Sequence, residues 1–325
     1  MMSEVQQLVS AGQYAEAADK LTTAAAGGDP DALFTLAKWR VGGTIIRRDL
    51  PAARDLMAKA AEAGHRQAAL LHAHFVANGT GGPADWGGAY RLLSELGGTE
   101  PRATEQLDML RRMAVEEDGE PARIPRLEAL SQRPALFLAR GFLEIEECNY
   151  LVRQAEPSLK PSVVTDRATG RAMLHPVRRS DGMLFGVDNE DLVVNAINRR
   201  IAAASGTNAA QAEPLQVLSY GPGGEFKPHV DSVKESGNQR ILTALIYLTE
   251  DYEGGETKFL RTGLSFRGRT GDLLLFRNVM ADGRPDLMTE HAGLPVTKGR
   301  KMIASRWIWR QAPQHAPPEP RVPNL

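Results

Sequence analysis

The sequence lacks the features that mark a secreted, membrane or nucleic-acid-binding protein. Cys148 is its only cysteine, which excludes an intrachain disulfide and fits a reducing compartment. Its 39 basic residues nearly balance 40 acidic ones, so the net charge of −1 favours neither nucleic acid nor an anionic membrane as a partner. It has no apolar run of about 18 residues, the length that spans a bilayer. The N-terminal residues also lack the basic and apolar regions of a signal peptide. We therefore predict a cytoplasmic protein without nucleic-acid or membrane partners.

Two groups of residues carry simple structural expectations. Cys148 lies in a helical pattern and is expected to be a small buried side chain rather than a reactive thiol. The arginine pairs Arg111-Arg112 and Arg199-Arg200 are expected on solvent-exposed helix faces.

The N-terminal part of the chain is rich in alanine and repeats itself with a shift of 36 residues. The segment AAAGGDPDALFTLA (24–37) then aligns with AAEAGHRQAALLHA (60–73), and RDLPAARDLM (48–57) aligns with ADWGGAYRLL (84–93). A fixed period of this length is typical of stacked helix pairs, none of which can bury its apolar face alone. Residues 1–113 thus resemble the Sel1-like branch of the tetratricopeptide superfamily.

That resemblance implies a helical repeat domain that docks a partner or a substrate. A scaffold for the rest of the chain is a nearly equal alternative, and the repeat pattern does not decide between them. Residues 114–134, which mix acidic residues with proline, are predicted to be a linker.

From residue 135 onward the pattern changes to short segments rich in β-branched and aromatic residues, separated by glycine-rich turns. Such spacing is typical of an antiparallel barrel or sandwich. Residues 191–206 are an exception, since their apolar positions follow a helical period. We therefore predict a second domain over 135–311, followed by a proline-rich tail over 312–325 without regular structure of its own.

The segment KPHVDS contains two candidate metal ligands, His229 and Asp231. At the end of a strand they would point to the same face, because side chains alternate along a strand. A third ligand is needed, and His175, His291 and His315 are available, with His315 disfavoured by its proline-rich surroundings. His291 would complete a set of two histidines and one carboxylate, which suits a non-haem Fe(II) oxygenase and also a hydrolytic zinc site.

Lys301 follows His291 at a distance that suits the far wall of the same pocket. A buried ammonium there could pair with the distal carboxylate of a dicarboxylate cosubstrate whose other end binds the metal. The hydroxyl groups of Tyr220 and Thr243 could line the same space. A lysine considered alone would be predicted at the surface. The position of Lys301 in the sequence, after the three candidate ligands, favours the pocket instead.

Residues 135–311 resemble the catalytic domain of the prolyl 4-hydroxylase family, whose members are Fe(II)- and 2-oxoglutarate-dependent dioxygenases. The family's fold implies a double-stranded β-helix, or jelly roll, after the α-helical repeats. The resemblance rests on motifs in the right order: GFLEIEEC, VRRS (177–180), LQVLSYGPGGEFKPHVD (215–231), NQRILTALIYLTEDYEGGETKF (238–259), GDLLLF (271–276) and HAGLPVTKGRKMIASRWI (291–308).

The resemblance implies a role for each matching residue. His229, Asp231 and His291 are the iron ligands, and Lys301 binds the distal carboxylate of 2-oxoglutarate. The remaining residues line the cosubstrate pocket or lie near the substrate; they are Tyr220, Thr243 and Trp307 for the cosubstrate, and Arg178, Arg240 and Phe226 for the substrate. For the two arginines, surface ion pairing is the alternative interpretation.

The expected activity is hydroxylation of a C–H bond, with Fe(II), 2-oxoglutarate and O2, and ascorbate as a reductant. The favoured acceptor is the 4-position of proline in a peptide or protein, docked by the helical repeats. Phe226 is the one departure, since the family frequently has tyrosine there. The alternatives are the same chemistry on a free amino acid or another side chain, and a non-catalytic interaction module built on the repeats.

Overall fold

The computed structural model describes residues 1–165, 172–174, 177–233, 237–313 and 320–322. Its contacts divide the chain into two compact units, each made of more than one segment. The first unit contains Met1–Ala122, Gly186–Ile197 and Gln314–Leu325, and the second contains Arg123–Phe185 and Asn198–Pro313. Among the described residues, no helix is both long enough and apolar enough to cross a membrane.

The first unit is built of antiparallel helices joined by short turns. They are α1 (Met2–Ser10), α2 (Tyr14–Ala26), α3 (Pro30–Gly42), α4 (Leu50–Glu62), α5 (Arg66–Asn78), α6 (Trp86–Leu96) and α7 (Pro101–Arg112).

The helix bounds follow the 36-residue period expected from the sequence. Helices α2 and α3 become α4 and α5 when shifted by one period, and α6 begins one period after α4. Asp49 and Asp85 are equivalent caps, whose side chains accept hydrogen bonds from the first turns of α4 and α6. The equivalent Gly43 and Gly79 end α3 and α5 with positive φ angles of 69°, a conformation that glycine adopts without strain. The period therefore arises from repeated caps as well as repeated apolar positions.

Two segments outside the repeats belong to the first unit. Asn78, at the end of α5, donates to the Glu190 carbonyl oxygen and accepts from the Asn195 amide, both at 2.7 Å. Near the C-terminus, the Val322 backbone amide donates to the Ile45 carbonyl oxygen at 2.7 Å. Part of the stretch predicted as a tail without regular structure thus forms a bridge between Val322 and Ile46.

The second unit contains two helices and all of the named strands. Its helices are α8 (Ile145–Ala155) and α9 (Leu192–Ser205), the latter beginning in the segment assigned to the first unit. Its strands are β1 (Glu128–Gln132), β2 (Ala135–Ala139), β3 (Lys160–Pro161), β4 (Val163–Thr165), β5 (Ala172–Leu174), β6 (Arg178–Arg179), β7 (Asp181–Leu184), β8 (Gln216–Tyr220), β9 (Glu225–His229), β10 (Arg240–Tyr247), β11 (Tyr252–Gly254), β12 (Thr257–Phe259), β13 (Ser265–Phe266), β14 (Leu273–Arg277), β15 (His291–Gly293), β16 (Val296–Gly299) and β17 (Lys301–Trp309).

These strands form a jelly roll of two principal antiparallel sheets. The larger sheet has the order β1-β2-β14-β10-β17-β8-β7-β3, and the smaller has the order β13-β12-β15-β9-β6. Buried residues of both sheets share one core, in which Phe259 of the smaller sheet meets Phe276 of the larger edge to face, 5.4 Å between ring centroids. The functional residues lie on the inner faces of this core.

Strand β1 lies within the stretch 114–134 that was predicted to be a linker. It pairs antiparallel with β2 at the edge of the larger sheet, and nearly all of its residues are exposed. Because neither face of β1 is buried, no apolar alternation is required, and its sequence resembles that of a loop.

Arg200 is buried, and the expectation of a solvent-exposed face is wrong for this residue. Its guanidinium forms two hydrogen bonds with the Glu147 carboxylate, at 2.6 and 2.8 Å, and a third with the Phe142 carbonyl oxygen. The neighbouring Cys148 is buried as predicted, and burial raises the pKa of its thiol to about 12. A thiol with that pKa is not a nucleophile at neutral pH.

Replacing Glu147 with alanine is expected to destabilise the protein by about 3–5 kcal/mol, because Arg200 would remain as an unpaired buried charge. The matched control is Glu146→Ala at the adjacent, exposed position, which should change the free energy of unfolding by less than about 0.5 kcal/mol. Urea unfolding of the two variants measures the difference. Equal stability of both variants would contradict a structural role for the pair.

Candidate active site

Two histidines from distant parts of the chain face each other across paired strands of the smaller sheet. His229 is the last residue of β9 and His291 the first of β15, and the two are register partners. Their ring centroids lie 4.3 Å apart with an angle of 51° between the planes. The antiparallel pairing therefore brings the two predicted ligands side by side.

Asp231 completes the cluster from the turn after β9. Its Oδ1 lies 3.4 Å from Nε2 of His229, and its Oδ2 lies 3.9 Å from Nε2 of His291. One potential ligand atom from each of the three residues lies within 4.8 Å of the others. Among the described residues this is the cluster of histidine, cysteine or carboxylate side chains that could hold a metal ion. His175 and His315, the other candidates for the third ligand, lie outside the described residues.

Backbone carbonyl groups fix the tautomer of both imidazoles. Nδ1 of His229 lies 2.8 Å from the Lys227 carbonyl oxygen, and Nδ1 of His291 lies 2.9 Å from the Thr289 carbonyl oxygen. A carbonyl oxygen can only accept, so each Nδ1 carries the proton and donates it. Each Nε2 is left with a lone pair directed toward the cluster, as a metal ligand requires.

The charge states suit a mixed nitrogen and oxygen site. Burial lowers the pKa of His291 to about 4, so this imidazole is neutral at pH 7. Burial alone would raise the pKa of Asp231, but the neighbouring His291 and His229 and a hydrogen bond from Thr243 hold it below its ordinary value. The cluster thus offers two imidazole nitrogens and one carboxylate as potential ligands.

A cavity extends from the three side chains into the jelly roll. Its walls include the side chains of four apolar residues and several polar ones that the sequence had singled out. The apolar residues are Leu218, Leu245, Leu294 and Ile303, and the polar and aromatic ones are Tyr220, Phe226, Thr243, Lys301 and Trp307.

Lys301 lines this cavity as a buried ammonium, with only 3% of its surface exposed. It is the first residue of β17 and pairs with Tyr220 in β8. Its Nζ donates to the Gly255 carbonyl oxygen at 2.6 Å and lies 5.6 Å from the centroid of the Tyr220 ring. A Cβ on Gly255 would lie 3.3 Å from Cδ of Lys301, so glycine there makes room for the lysine chain.

Burial lowers the pKa of Lys301 to about 8, although the nearby Glu256 partly opposes this shift. The side chain is therefore mostly charged at pH 7. The ammonium has three N–H donors, and one of them is used by the hydrogen bond to Gly255. The others can bind an anion within the cavity.

Three more of the predicted cosubstrate residues also line the cavity. Burial raises the pKa of Tyr220 to about 12, so its hydroxyl group keeps its proton. The indole Nε1 of Trp307 is buried, with no hydrogen-bond partner among the described residues. Thr243 lines the cavity too, but its hydroxyl group donates to Oδ2 of Asp231 at 2.7 Å.

The predicted substrate residues fall into two places. Phe226 stacks on His229, with 3.6 Å between ring centroids, and the Arg178 guanidinium lies 5.5 Å from the centroid of the Phe226 ring. Arg240 is not part of the cavity wall; it binds Glu213 at 2.7 Å and lies 4.1 Å from the centroid of the Trp307 ring. The structure therefore places Phe226 against the metal ligand His229 and Arg178 over the Phe226 ring, and it places Arg240 against Trp307; neither arginine is part of the cavity wall.

Comparisons with known proteins agree with this geometry. The model of the 2OG-Fe(II) oxygenase superfamily matches residues 215–309. The chain is 35% identical to prolyl 4-hydroxylase 1 of Arabidopsis thaliana over 238 residues, which cover 67% of this chain and 84% of that protein. The chain belongs to the prolyl 4-hydroxylase family.

A second curated relative points the same way. Probable prolyl 4-hydroxylase 3 of Arabidopsis thaliana is 35% identical over 205 residues, covering 56% of this chain and 71% of that protein. Among solved structures, the viral collagen prolyl hydroxylase vCPH from Paramecium Bursaria Chlorella virus-1 has a TM-score of 0.43 and 26% identity, covering 54% of this chain and 95% of that one.

This prolyl 4-hydroxylase family member is a 2-oxoglutarate-dependent dioxygenase that uses Fe(II) and O2. The residues present fit those groups. The three-residue cluster supplies the donor set of a facial Fe(II) site. The buried ammonium of Lys301 supplies donors within the cavity for a carboxylate. No observation bears on ascorbate, which stays a prediction.

Sequence reasoning missed the groups that hold the ligands in place. They are the carbonyl groups of Lys227 and Thr289, and Asn278, whose amide donates to Thr243. Asn278 was recognisable as a polar residue directly after the apolar segment LLLF and Arg277, but its partner was not. Backbone carbonyl groups leave no signal in a sequence.

Removing one ligand is expected to abolish tight metal binding. His291→Ala should weaken the affinity for Mn(II), used as an air-stable probe, by more than about 100-fold, since loss of a group that merely orients a ligand costs 10–100-fold. Calorimetric titration measures the affinity. His72→Gln, in helix α5, is the control and should bind as the wild type does; unchanged binding by the His291 variant would contradict the assignment.

The affinity for 2-oxoglutarate is expected to fall as pH rises above about 8. Because burial lowers the pKa of Lys301 to about 8, the ammonium is charged below that pH and increasingly neutral above it. The dissociation constant, measured anaerobically with bound metal, should rise by about tenfold per pH unit above that value.

Two lysine variants separate this effect from a general response to pH. Lys301→Met should bind 2-oxoglutarate weakly at every pH. Lys298→Met, on the exposed part of β16, should keep the wild-type profile. A wild-type affinity that stayed constant up to pH 10 would count against an ammonium as the binding group.

Proposed function

We propose that this protein hydroxylates the 4-position of proline in a peptide or protein, with release of succinate and CO2. Its relatives named above are prolyl 4-hydroxylases or probable prolyl 4-hydroxylases. The observation that carries the proposal is the position of Phe226, which forms an apolar wall directly against the metal ligand His229.

The protein's own residues define two ends of the reaction cavity. Nε2 of His229, Nε2 of His291 and the carboxylate of Asp231 would hold Fe(II) at one end. Fe(II), with 2-oxoglutarate and O2, supplies the oxidising chemistry that converts a C–H bond into an alcohol. At the other end, the ammonium of Lys301 would donate hydrogen bonds that orient the distal carboxylate of 2-oxoglutarate.

Between these ends, the apolar side chains keep water from the reacting groups. Leu218, Leu245 and Ile303 line the cavity and are nearly fully buried. A charge pair between the ammonium and a carboxylate is stronger in such surroundings than in water. The cosubstrate is therefore held in one orientation, with its 2-oxo acid end toward the three ligands.

The substrate would approach beside Phe226 and Arg178. A proline ring is apolar and lacks an N–H within a peptide, so it suits an aromatic wall better than a polar one. The Arg178 guanidinium, above the Phe226 ring, is positioned to bind a carbonyl oxygen of the flanking peptide. Phenylalanine in place of the usual tyrosine removes a hydroxyl group there, so the flanking peptide would be held mainly by Arg178 and packing.

We also propose that the helical repeats dock the substrate. Stacked helix pairs provide an extended surface of the kind that binds peptides. A structural role for the repeats also has a specific observation in its favour, because Asn78 holds Glu190 and Asn195 within the first unit. A protein substrate with a lower KM than a short peptide of the same sequence would support docking.

The expected product is hydroxyproline, detected as the mass of one added oxygen atom on proline. Wild-type protein and His229→Ala should be incubated with Fe(II), 2-oxoglutarate and a panel of proline-containing peptides and proteins. Modification should appear with the wild type and be absent from the variant. Fragment spectra that place the oxygen on residues other than proline would contradict the acceptor, and absence of succinate with every substrate would favour a non-catalytic module.

A further inference from the structure

A short chain of buried hydrogen bonds lies behind the carboxylate of Asp231. Nδ2 of Asn278 donates to Oγ1 of Thr243 at 2.9 Å, and Oγ1 of Thr243 donates to Oδ2 of Asp231 at 2.7 Å. All three residues are at most 4% exposed. We refer to Asn278, Thr243 and Asp231 as the Asn–Thr–Asp relay.

The direction of this relay follows from counting donors and acceptors. An ionised carboxylate can only accept, so the single hydroxyl proton of Thr243 must point to Asp231. The oxygen of Thr243 must then accept its other hydrogen bond, which requires a donor. The atom of Asn278 that faces Thr243 is therefore its amide nitrogen.

The relay also distinguishes the two carboxylate oxygens. Oδ2 accepts from Thr243 at a short distance, whereas Oδ1 lies 3.4 Å from Nε2 of His229, which carries no proton to donate. Oδ1 thus lies beside a ligand nitrogen, with no competing donor as close as Thr243 is to Oδ2. Oδ1 is the oxygen available to a metal ion.

Both supporting residues are held by the larger sheet. Thr243 lies in the middle of β10, where it pairs with Phe276 of β14 on one side and Trp307 of β17 on the other. The backbone amide of Asn278 donates to Ile241, and its carbonyl oxygen accepts from Asp286, both at 2.9 Å. The relay therefore ties Asp231, which lies in a turn, to the larger sheet.

We propose that Thr243 and Asn278 are positioning residues, which orient the Asp231 carboxylate so that Oδ1 alone binds the metal. Sequence reasoning had assigned Thr243 only to the wall of the cosubstrate pocket and had not singled out Asn278. This inference rests on the proposed metal role of His229, Asp231 and His291. It predicts that the relay contributes to metal affinity without contacting the metal.

The test compares two substitutions of Thr243 that differ by the hydroxyl group. Thr243→Val keeps the shape of the side chain but has no donor, and should weaken Mn(II) affinity by about 10–100-fold, the usual effect of losing a group that orients a ligand. Thr243→Ser keeps the donor and should stay within about threefold of the wild type. The electron paramagnetic resonance spectrum of bound Mn(II) should change in the valine variant and not in the serine variant.

Asn278→Leu tests the rest of the relay. Because Asn278 acts through Thr243, its replacement should weaken Mn(II) binding in the wild type but add less than about threefold to the effect of Thr243→Val. If the double variant lost affinity by the product of the two single losses, Asn278 would act independently of Thr243. Asn278 is fully buried, so thermal unfolding of each metal-free variant is measured to check that the variant folds. The comparison of Thr243→Val with Thr243→Ser decides the proposal even if Asn278→Leu does not fold.

The outcomes separate this inference from the assignment of the ligands. Equal Mn(II) affinity and spectra for Thr243→Val and the wild type, with binding lost in His229→Ala, would overturn the relay and leave the ligands in place. Equal affinity of His229→Ala and the wild type would overturn the ligand assignment itself. Weak binding in both threonine variants would show that the site tolerates no change of shape, and would also reject the hydroxyl group as the cause.

Discussion

The antiparallel pairing of β9 with β15 is the constraint on which the active site depends. It places His229 and His291 opposite each other, and the turn after β9 then brings Asp231 within reach of both. A shift of one residue in this register would turn one imidazole to the other face of the sheet, because side chains alternate along a strand. The strand pairing fixes the backbone of each histidine, and the hydrogen bond from each Nδ1 to a nearby carbonyl oxygen fixes the orientation of the imidazole ring.

The second requirement is a pair of buried charges at separate points of one cavity. Asp231 and Lys301 are both almost fully buried, and burial of a charge is unfavourable unless it is paired or hydrogen-bonded. Thr243 partly offsets this cost for Asp231, and the Gly255 carbonyl group does so for Lys301. A bound metal ion would neutralise the charge of Asp231, and a bound carboxylate would neutralise that of Lys301. Binding of both would therefore offset the rest of the free energy that burial of these charges costs.

Much of the chemistry could be predicted from the sequence, because it resides in side chains at informative positions. His229 and Asp231 lie two residues apart at the end of a predicted strand, His291 and Lys301 follow in a recognisable order, and the helical repeats keep a constant period. Arg200, β1 and the relay could not be predicted in the same way. Arg200 looks like any surface arginine until Glu147 is folded against it, and β1 is an exposed edge strand whose residues are those of a loop.

Arg240 has neighbours that its motif does not reveal, and its role near the substrate stays a prediction. The motif places it near a substrate, yet its guanidinium lies against the ring of Trp307 and pairs with Glu213, which also accepts from Trp309. Contacts of this kind depend on which strands become neighbours, and one sequence does not report them. Thr243 is the converse case, since it lies where the motif implied but directs its hydroxyl group to a metal ligand.

The central claim is that one cavity binds a metal ion and the far carboxylate of 2-oxoglutarate together. Its most direct measurement is the affinity for 2-oxoglutarate, determined anaerobically by calorimetry with and without saturating Mn(II). Because the cosubstrate would bind the metal at one end and Lys301 at the other, we expect the metal to increase the affinity by at least about tenfold, within the usual range for coupled ligands. An affinity that is the same with and without metal would contradict a shared cavity.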